Sequence, residues 1–462
     1  MSAPVYEITR VDLGQRHVGL ALPFHFGDVT VTETAEAYLR VTALGPNGPV
    51  TGVAAQLMVP RWFDKRAARS AAETVDDLRA TLRAARAAAV GMRGTVRGLS
   101  LGIRKAVRAA LPDDLPDLAA GFGPALLEMA LIDAACRDAG VNFPDAVRAD
   151  LFGVADDLPP DLTRTQYDRW RAGVTAPDRL RLRHTVGFGA PLSAGEVKSR
   201  PADGRPVALE EVIAATDSTA FKIKITGDVA ADHAWLTRIA GVIGDIPGLL
   251  VTLDANEQYD PDRLAALWAR IETDPALDGF RAALAYIEQP FAREIALAED
   301  TRIDLPVPVI IDESDDGEDA LPRAFERGYS GTSVKSCKGV LRALVNAARV
   351  AARGDGALLS AEDLTCQPGL CWQQDSLMAA TVGAAHAERN GHHFAGGLQG
   401  AGGDEQAGYL AAHPDIYRAG PYGLRLNITA GTVGIGSLDA PGFASTPGPD
   451  LAGPGFTGMA PI

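Results

Sequence analysis

The sequence predicts an α/β protein: a closed parallel β/α barrel preceded by an α+β capping domain, which the C-terminal segment rejoins. Three observations carry this. Eight short apolar runs recur between Arg183 and Gly397, most of them separated by helix-length stretches. The first sixty residues alternate in strand-like runs broken by Gly, Pro and Asn. At 462 residues, the chain also exceeds what one hydrophobic core usually spans.

In chain order, VYEITRVDL, YLRVTAL and VTGVAAQLMV read as an antiparallel meander. From Ser70 to Leu111 the pattern becomes Ala-rich and helical, and PALLEMALIDAACRDA predicts a further helix that stops before Gly140. These elements make up a capping domain over 1–153. The stretch 154–182, rich in Asp and Pro with weak periodicity, reads as a connection crossing the surface. The eight barrel strands are LRHTVGF, AFKIKI, LLVTLDA, LAYIEQP, PVIIDES, GTSVKS, ALLSAED and HHFAGGL, a TIM-type barrel over 183–400. The Gly- and Pro-rich segment 401–462, with GLRLNITAGTVGIG, is expected to return to the capping domain.

Composition narrows the function. With 47% hydrophobic and 22% charged residues, the chain can bury a large core. Its 44 basic and 59 acidic residues leave a net charge of −15, which opposes adhesion to nucleic acid or to an anionic membrane. The basic run from Arg93 to Arg108 lacks interleaved aromatics and reads as a solvated helix face. MSAPVYEITRVDLGQ carries charges where a secretory signal needs an apolar run. Cys136, Cys337, Cys366 and Cys371 have no C-x-x-C spacing and are too few for a disulfide framework, so a cytoplasmic protein is expected.

The chemistry lies at the strand ends. In FKIKI, alternation sends Lys222 and Lys224 to one face, into a barrel interior that normally holds Val, Ile and Leu. Like charge and desolvation are expected to push their pKa values down. Asp254, Glu288 and Asp312, 34 and 24 residues apart, each end one of three consecutive strands. Each alone reads most simply as a helix cap; together they suit a hard divalent cation, with Mg²⁺ the natural candidate. Asn256 shares the face of Asp254 and could orient a ligand. Lys335 ends the sixth strand, four steps round the ring from Lys224, so the two lysines face each other across the barrel mouth. This arrangement suits removal of a proton next to a carboxylate, with the cation stabilising the enediolate and either lysine as base. Lys338 reads as a surface charge.

KIK, DAN, IEQP, DES and VK, on strands two to six, resemble the enolase superfamily, closest to the muconate lactonizing enzyme and dipeptide epimerase branch. LEMALIDAACRDAGVNFPDAVRADLFG is similar to that family's capping-domain helix leading into the barrel. The resemblance implies Mg²⁺ bound by Asp254, Glu288 and Asp312, with Lys224 and Lys335 as acid and base. It also implies that Lys222 contacts the substrate carboxylate or tunes Lys224, and that the capping domain closes over the mouth. A small-molecule carboxylate substrate and a homo-oligomer follow from the same resemblance. Lys335 and the SAED run differ from the Asp and His pair of the mandelate racemase branch. Dipeptide epimerases carry acids on the eighth strand; HHFAGGLQGAGG offers none, which disfavours an amino-terminal dipeptide.

Further candidates are His25, in the region where the family keeps its specificity loop, and Glu362 with Asp363 at the end of strand seven. His392 and His393 precede the expected eighth strand. A one-residue shift in strand five would present Glu313 in place of Asp312. Racemization or epimerization, elimination and cycloisomerization all remain open. Two rival readings are a Schiff-base aldolase or lyase using Lys222 or Lys224, and a barrel that binds metal and ligand without turnover.

Overall fold

The meander is β1 (Tyr6–Phe26), β2 (Val29–Gly45) and β3 (Gly48–Met58), paired antiparallel in that order. The computed structural model describes residues 3–26, 29–175, 177–421, 423–453 and 455–459. Helix α1 (Ala71–Ala89) opens with a reciprocal capping box between Ser70 and Glu73. Helix α2 (Val96–Ala110) is capped by Thr95. The third long helix, Phe122–Ala139, is buried along nearly its whole length and ends at Gly140 in the left-handed conformation. The stretch 117–139 is long and apolar enough to cross a membrane, but 94% of that apolar window is buried inside the fold. Its contact with β3 is so close that a Cβ on Gly52 would lie 2.1 Å from the Ala130 carbonyl oxygen. Only glycine fits there.

The barrel strands are Arg179–Val186, Ala220–Lys224, Leu250–Asp254, Leu284–Glu288, Val309–Ile311, Gly331–Val334, Leu358–Glu362 and Ala387–Glu388. Each runs parallel to the next. The eighth pairs with the first through Ala387↔Leu182 and Glu388↔Arg183, which closes the ring. This corrects the eighth strand. His392 and His393 sit in a helical turn, Gly391–Phe394, that follows the strand. A two-residue strand has no alternation to read, so the longer apolar run beside it drew the assignment.

The segment expected to be a bare connection holds a helix, Arg164–Ala172, that packs on the helix Val340–Arg353 of the barrel. Its signal was the capping box of Thr163 and Gln166; its periodicity is weak because Tyr167 alone is fully buried. The C-terminal segment pairs Thr457 and Gly458 with β1, and Phe443 donates its amide to Asp133 of the long capping helix at 2.8 Å. The basic run of α2 is not simply solvated. Arg97 is buried and bonds Glu318 at 3.0 Å, and Arg104 reaches the Lys338 carbonyl at 3.3 Å, so part of this face binds the capping domain to the barrel.

Candidate active site

Alternation along the second barrel strand turns Phe221 and Ile223 outward to the barrel's helices and Lys222 and Lys224 inward, as expected. Lys222 is 1% exposed and ringed by acids. Its Nζ lies 2.7 Å from Glu362, 2.8 Å from Glu388, 2.8 Å from Asp254 and 3.1 Å from Glu288. Lys224 donates to Asp254 at 2.5 Å and to Asn256 Oδ1 at 2.8 Å. Lys335 donates to both oxygens of Asp312 at 2.6 Å and to Glu362 at 2.9 Å, beneath the Trp62 ring at 4.7 Å. Lys224 and Lys335 thus belong to strands four steps apart in the ring and hold different carboxylates.

These contacts reverse the expected direction of the Lys222 pKa. Burial depresses Lys222, but Asp254, Glu288, Glu362 and Glu388 outweigh it and raise it well above the ordinary lysine value. Burial likewise opposes, and Asp312 with Glu362 overcomes, the charge on Lys335, which is also raised. Like-charge repulsion between lysines is the weaker effect here because each ammonium touches carboxylates directly.

Glu288, Asp312 and Glu362 bring one carboxylate oxygen each within 4.8 Å of one another, and all three are buried. Both oxygens of Glu288 are buried without a hydrogen-bond partner. Burial first, then Glu362, push its carboxyl far above the usual range. A buried carboxylate among other acids, with Lys222 at 3.1 Å as its cationic neighbour, favours a further cation, and oxygen donors suit a hard divalent ion. The residues therefore fit a divalent metal. Asp254 stands outside this trio because Lys224 and Lys222 occupy its Oδ2. Glu362, expected to line the mouth or to cap the following helix, holds several cations at once: Arg183 binds it at 2.8 Å in addition to the two lysines. Glu388 was missed altogether, since its strand was misplaced. It faces into the barrel, which removes the ground for disfavouring a substrate that bears an amine.

The charge pattern has a consequence for acid stability. Asp254, Asp312 and Glu362 are held below their ordinary values of 3.8, 3.8 and 4.5, because neighbouring cations outweigh burial. Their stabilisation is present above those values and is lost as pH falls through the lower folded ones. Glu288, whose carboxyl is pushed in the opposite direction, does not contribute to this loss. The melting temperature of the metal-free protein should therefore fall as pH drops below about 4, and less steeply in Lys335→Met. A flat profile between pH 5 and pH 2 would contradict these ion pairs.

Other candidates fall into place around this centre. Glu313 points away from the trio toward Lys65 of the capping domain at 3.8 Å, and burial pushes it up to about 7. The strand register thus keeps Asp312 inward. Lys338, expected at the surface, is 3% exposed and bonds Asp312 at 2.8 Å. A cavity of about 30 Å³ is lined by Lys222, Lys224, Asp312, Lys335 and Glu362, with Phe24, Phe26 and Trp62 of the capping domain completing its wall. A neighbouring space of about 290 Å³ is lined by Lys224, Asn256, Phe188 and the exposed His25. His393 meets His184 edge-on at 4.9 Å; burial holds His184 down to about 4 and His392 to about 3. Cys366 and Cys371, with Cα atoms 6.2 Å apart, bring their sulfurs together beside Asp375.

No protein-family model matches the chain, and no curated protein matches it by sequence. Solved structures do share its fold. L-Ala-D/L-Glu epimerase from Bacillus subtilis, solved with its substrate, aligns at TM-score 0.59 and 18% identity over 95% of this chain and 98% of its own. Muconate lactonizing enzyme from Pseudomonas fluorescens, solved with muconolactone, aligns at 0.60 and 15% over 95% of each chain. A member of the enolase superfamily from Roseovarius nubinhibens, complexed with magnesium, aligns at 0.60 and 18% over 97% of this chain and 98% of its own. The architecture of this chain, barrel and capping domain together, is that of these three structures.

Proposed function

We propose that this protein is a Mg²⁺-dependent enzyme of the enolase superfamily that removes the α-proton of a carboxylate substrate and either returns a proton to that carbon, as in racemase or epimerase chemistry, or breaks the neighbouring β C–O bond, as in cycloisomerase chemistry run toward ring opening. The observation that carries this reading is the pair of buried lysines on strands two and six, on either side of a buried acid cluster. The shared fold with an epimerase and a lactonizing enzyme supports the same class.

Glu288 and Asp312, both of the acid trio, would hold the metal, and Asp254 would join them once the cation displaces Lys222 and Lys224 from its Oδ2. Glu362 is already committed to Arg183, whose guanidinium keeps its charge, and serves as the anchor for the lysines. A bound divalent cation would supply positive charge to the substrate carboxylate as its α-carbon gives up a proton, and would relieve the lysines of acids that hold their protons. Lys224, held by one carboxylate and one amide, carries fewer acids than Lys335 and is assigned as the base. Asn256 orients its Nζ. Lys335, with its proton held by Asp312 and Glu362, is assigned as the acid on the opposite face. Trp62 lies over that ammonium and shields it from water. Lys222, fixed among four acids, stays an ammonium and balances their charge. The same environment makes it a poor Schiff-base nucleophile.

The test is α-proton exchange in D₂O, by NMR, across libraries of acid sugars, amino-acid derivatives and lactones with and without Mg²⁺. Mg²⁺-dependent deuterium incorporation into at least one carboxylate is expected. Lysine adducts trapped by borohydride, with no exchange in any library, would favour a Schiff-base lyase instead.

A further inference from the structure

The fifth barrel strand ends at Ile311, and its ladder to strand six ends with Thr332↔Ile311. Asp312 is the next residue, so the backbone of a buried acid at the centre of the site has no strand partner. Side chains take over. Gln289 Oε1 accepts the Asp312 amide at 2.7 Å, and the Ser314 amide at 3.1 Å. On the other side, Lys338 Nζ donates to the Asp312 carbonyl at 2.6 Å, to its carboxylate Oδ1 at 2.8 Å and to the Ser333 carbonyl of strand six at 2.8 Å. The Asp312 carbonyl also accepts the Asp315 amide at 3.0 Å, which turns the chain away from the barrel.

We propose that Lys338 is a positioning residue that fixes the rotamer of Asp312 for metal binding, by gripping main chain and carboxylate of that residue at once from a fixed point on strand six. The inference rests on the proposed role of Asp312 as a metal ligand. All three protons of the ammonium are used, and the residue is 3% exposed, so no donor remains for substrate. On Asp312, Lys335 grips only the carboxylate, whereas Lys338 holds the main chain as well. The turn Ser336–Lys338 delivers both from the end of a single strand.

A positioning role and a mere charge have opposite signatures. Removing a cation beside a metal site should tighten Mg²⁺ binding by Coulomb's law. Removing the group that orients a ligand should weaken it, typically 10–100-fold. The experiment is calorimetric titration of the chelator-stripped full chain with Mg²⁺ alone, with thermal melts alongside. Lys338→Met is expected to weaken binding by about tenfold or more. Unchanged or tighter binding overturns the proposal, as does a lowered melting temperature with Mg²⁺ affinity intact. If Lys338→Met does not fold, Gln289→Met removes the amide-side hold: about tenfold weakening supports the clamp and unchanged affinity overturns it. Asp312→Asn separates the two levels. If it loses Mg²⁺ while Lys338→Met keeps it, only the clamp fails; if Asp312→Asn keeps Mg²⁺, the ligand assignment fails as well.

Discussion

Lys224→Ala and Lys335→Ala should each lower α-proton exchange by about 10²–10⁴-fold, and each in a different stereochemical direction. The two amines belong to strands on opposite sides of the ring and touch different acids, and the proposed mechanism assigns each to one face of a substrate held between them. Loss of Lys224 removes the base assigned to the first face; loss of Lys335 removes the donor to the second. Either variant leaves an acid with one fewer cation, so structural damage is checked by thermal melts before rates are compared. Exchange is read by NMR in D₂O, starting from each enantiomer. Full exchange from both enantiomers in both variants would end the two-lysine mechanism.

Glu288→Gln should weaken Mg²⁺ binding by more than about 100-fold, since losing a ligand exceeds the cost of losing a supporting group. The fold should survive. Burial and Glu362 push the folded carboxyl far above its ordinary value, so its destabilising effect grows as pH rises from about 4.5 toward the folded value. The amide is neutral at every pH and escapes this cost. Metal-free Glu288→Gln should therefore melt at or above the parent at pH 8, while calorimetry shows the lost metal affinity. Unchanged affinity would remove Glu288 from the ligand set.

Much of this site was legible in the chain because barrel strands are local objects. FKIKI places two lysines inward by alternation alone, and Asp254, Glu288 and Asp312 each close an apolar run. What failed was also physical. The eighth strand has only Ala387 and Glu388, too short to carry a pattern, so its inward acid was missed. Lys338 follows Lys335 in a tight turn, and nothing in KSCK distinguishes a buried ammonium from a solvated one. Arg97 and Arg104 looked solvated because the barrel surface that covers them lies far along the chain.

Over the first seven strands the sequence by itself determined which residue types enter the barrel and in what order round the ring, because the two-residue repeat and the strand–helix rhythm act over a few residues. Only the tertiary structure decided which acid each amine holds, and hence the charge states. Lys222 meets Glu362 and Glu388 across 140 and 166 residues of chain, and their mutual burial exists only when the ring is closed. Desolvation and Coulomb attraction at under 3 Å set the pKa values there, and neither is a property of any local stretch.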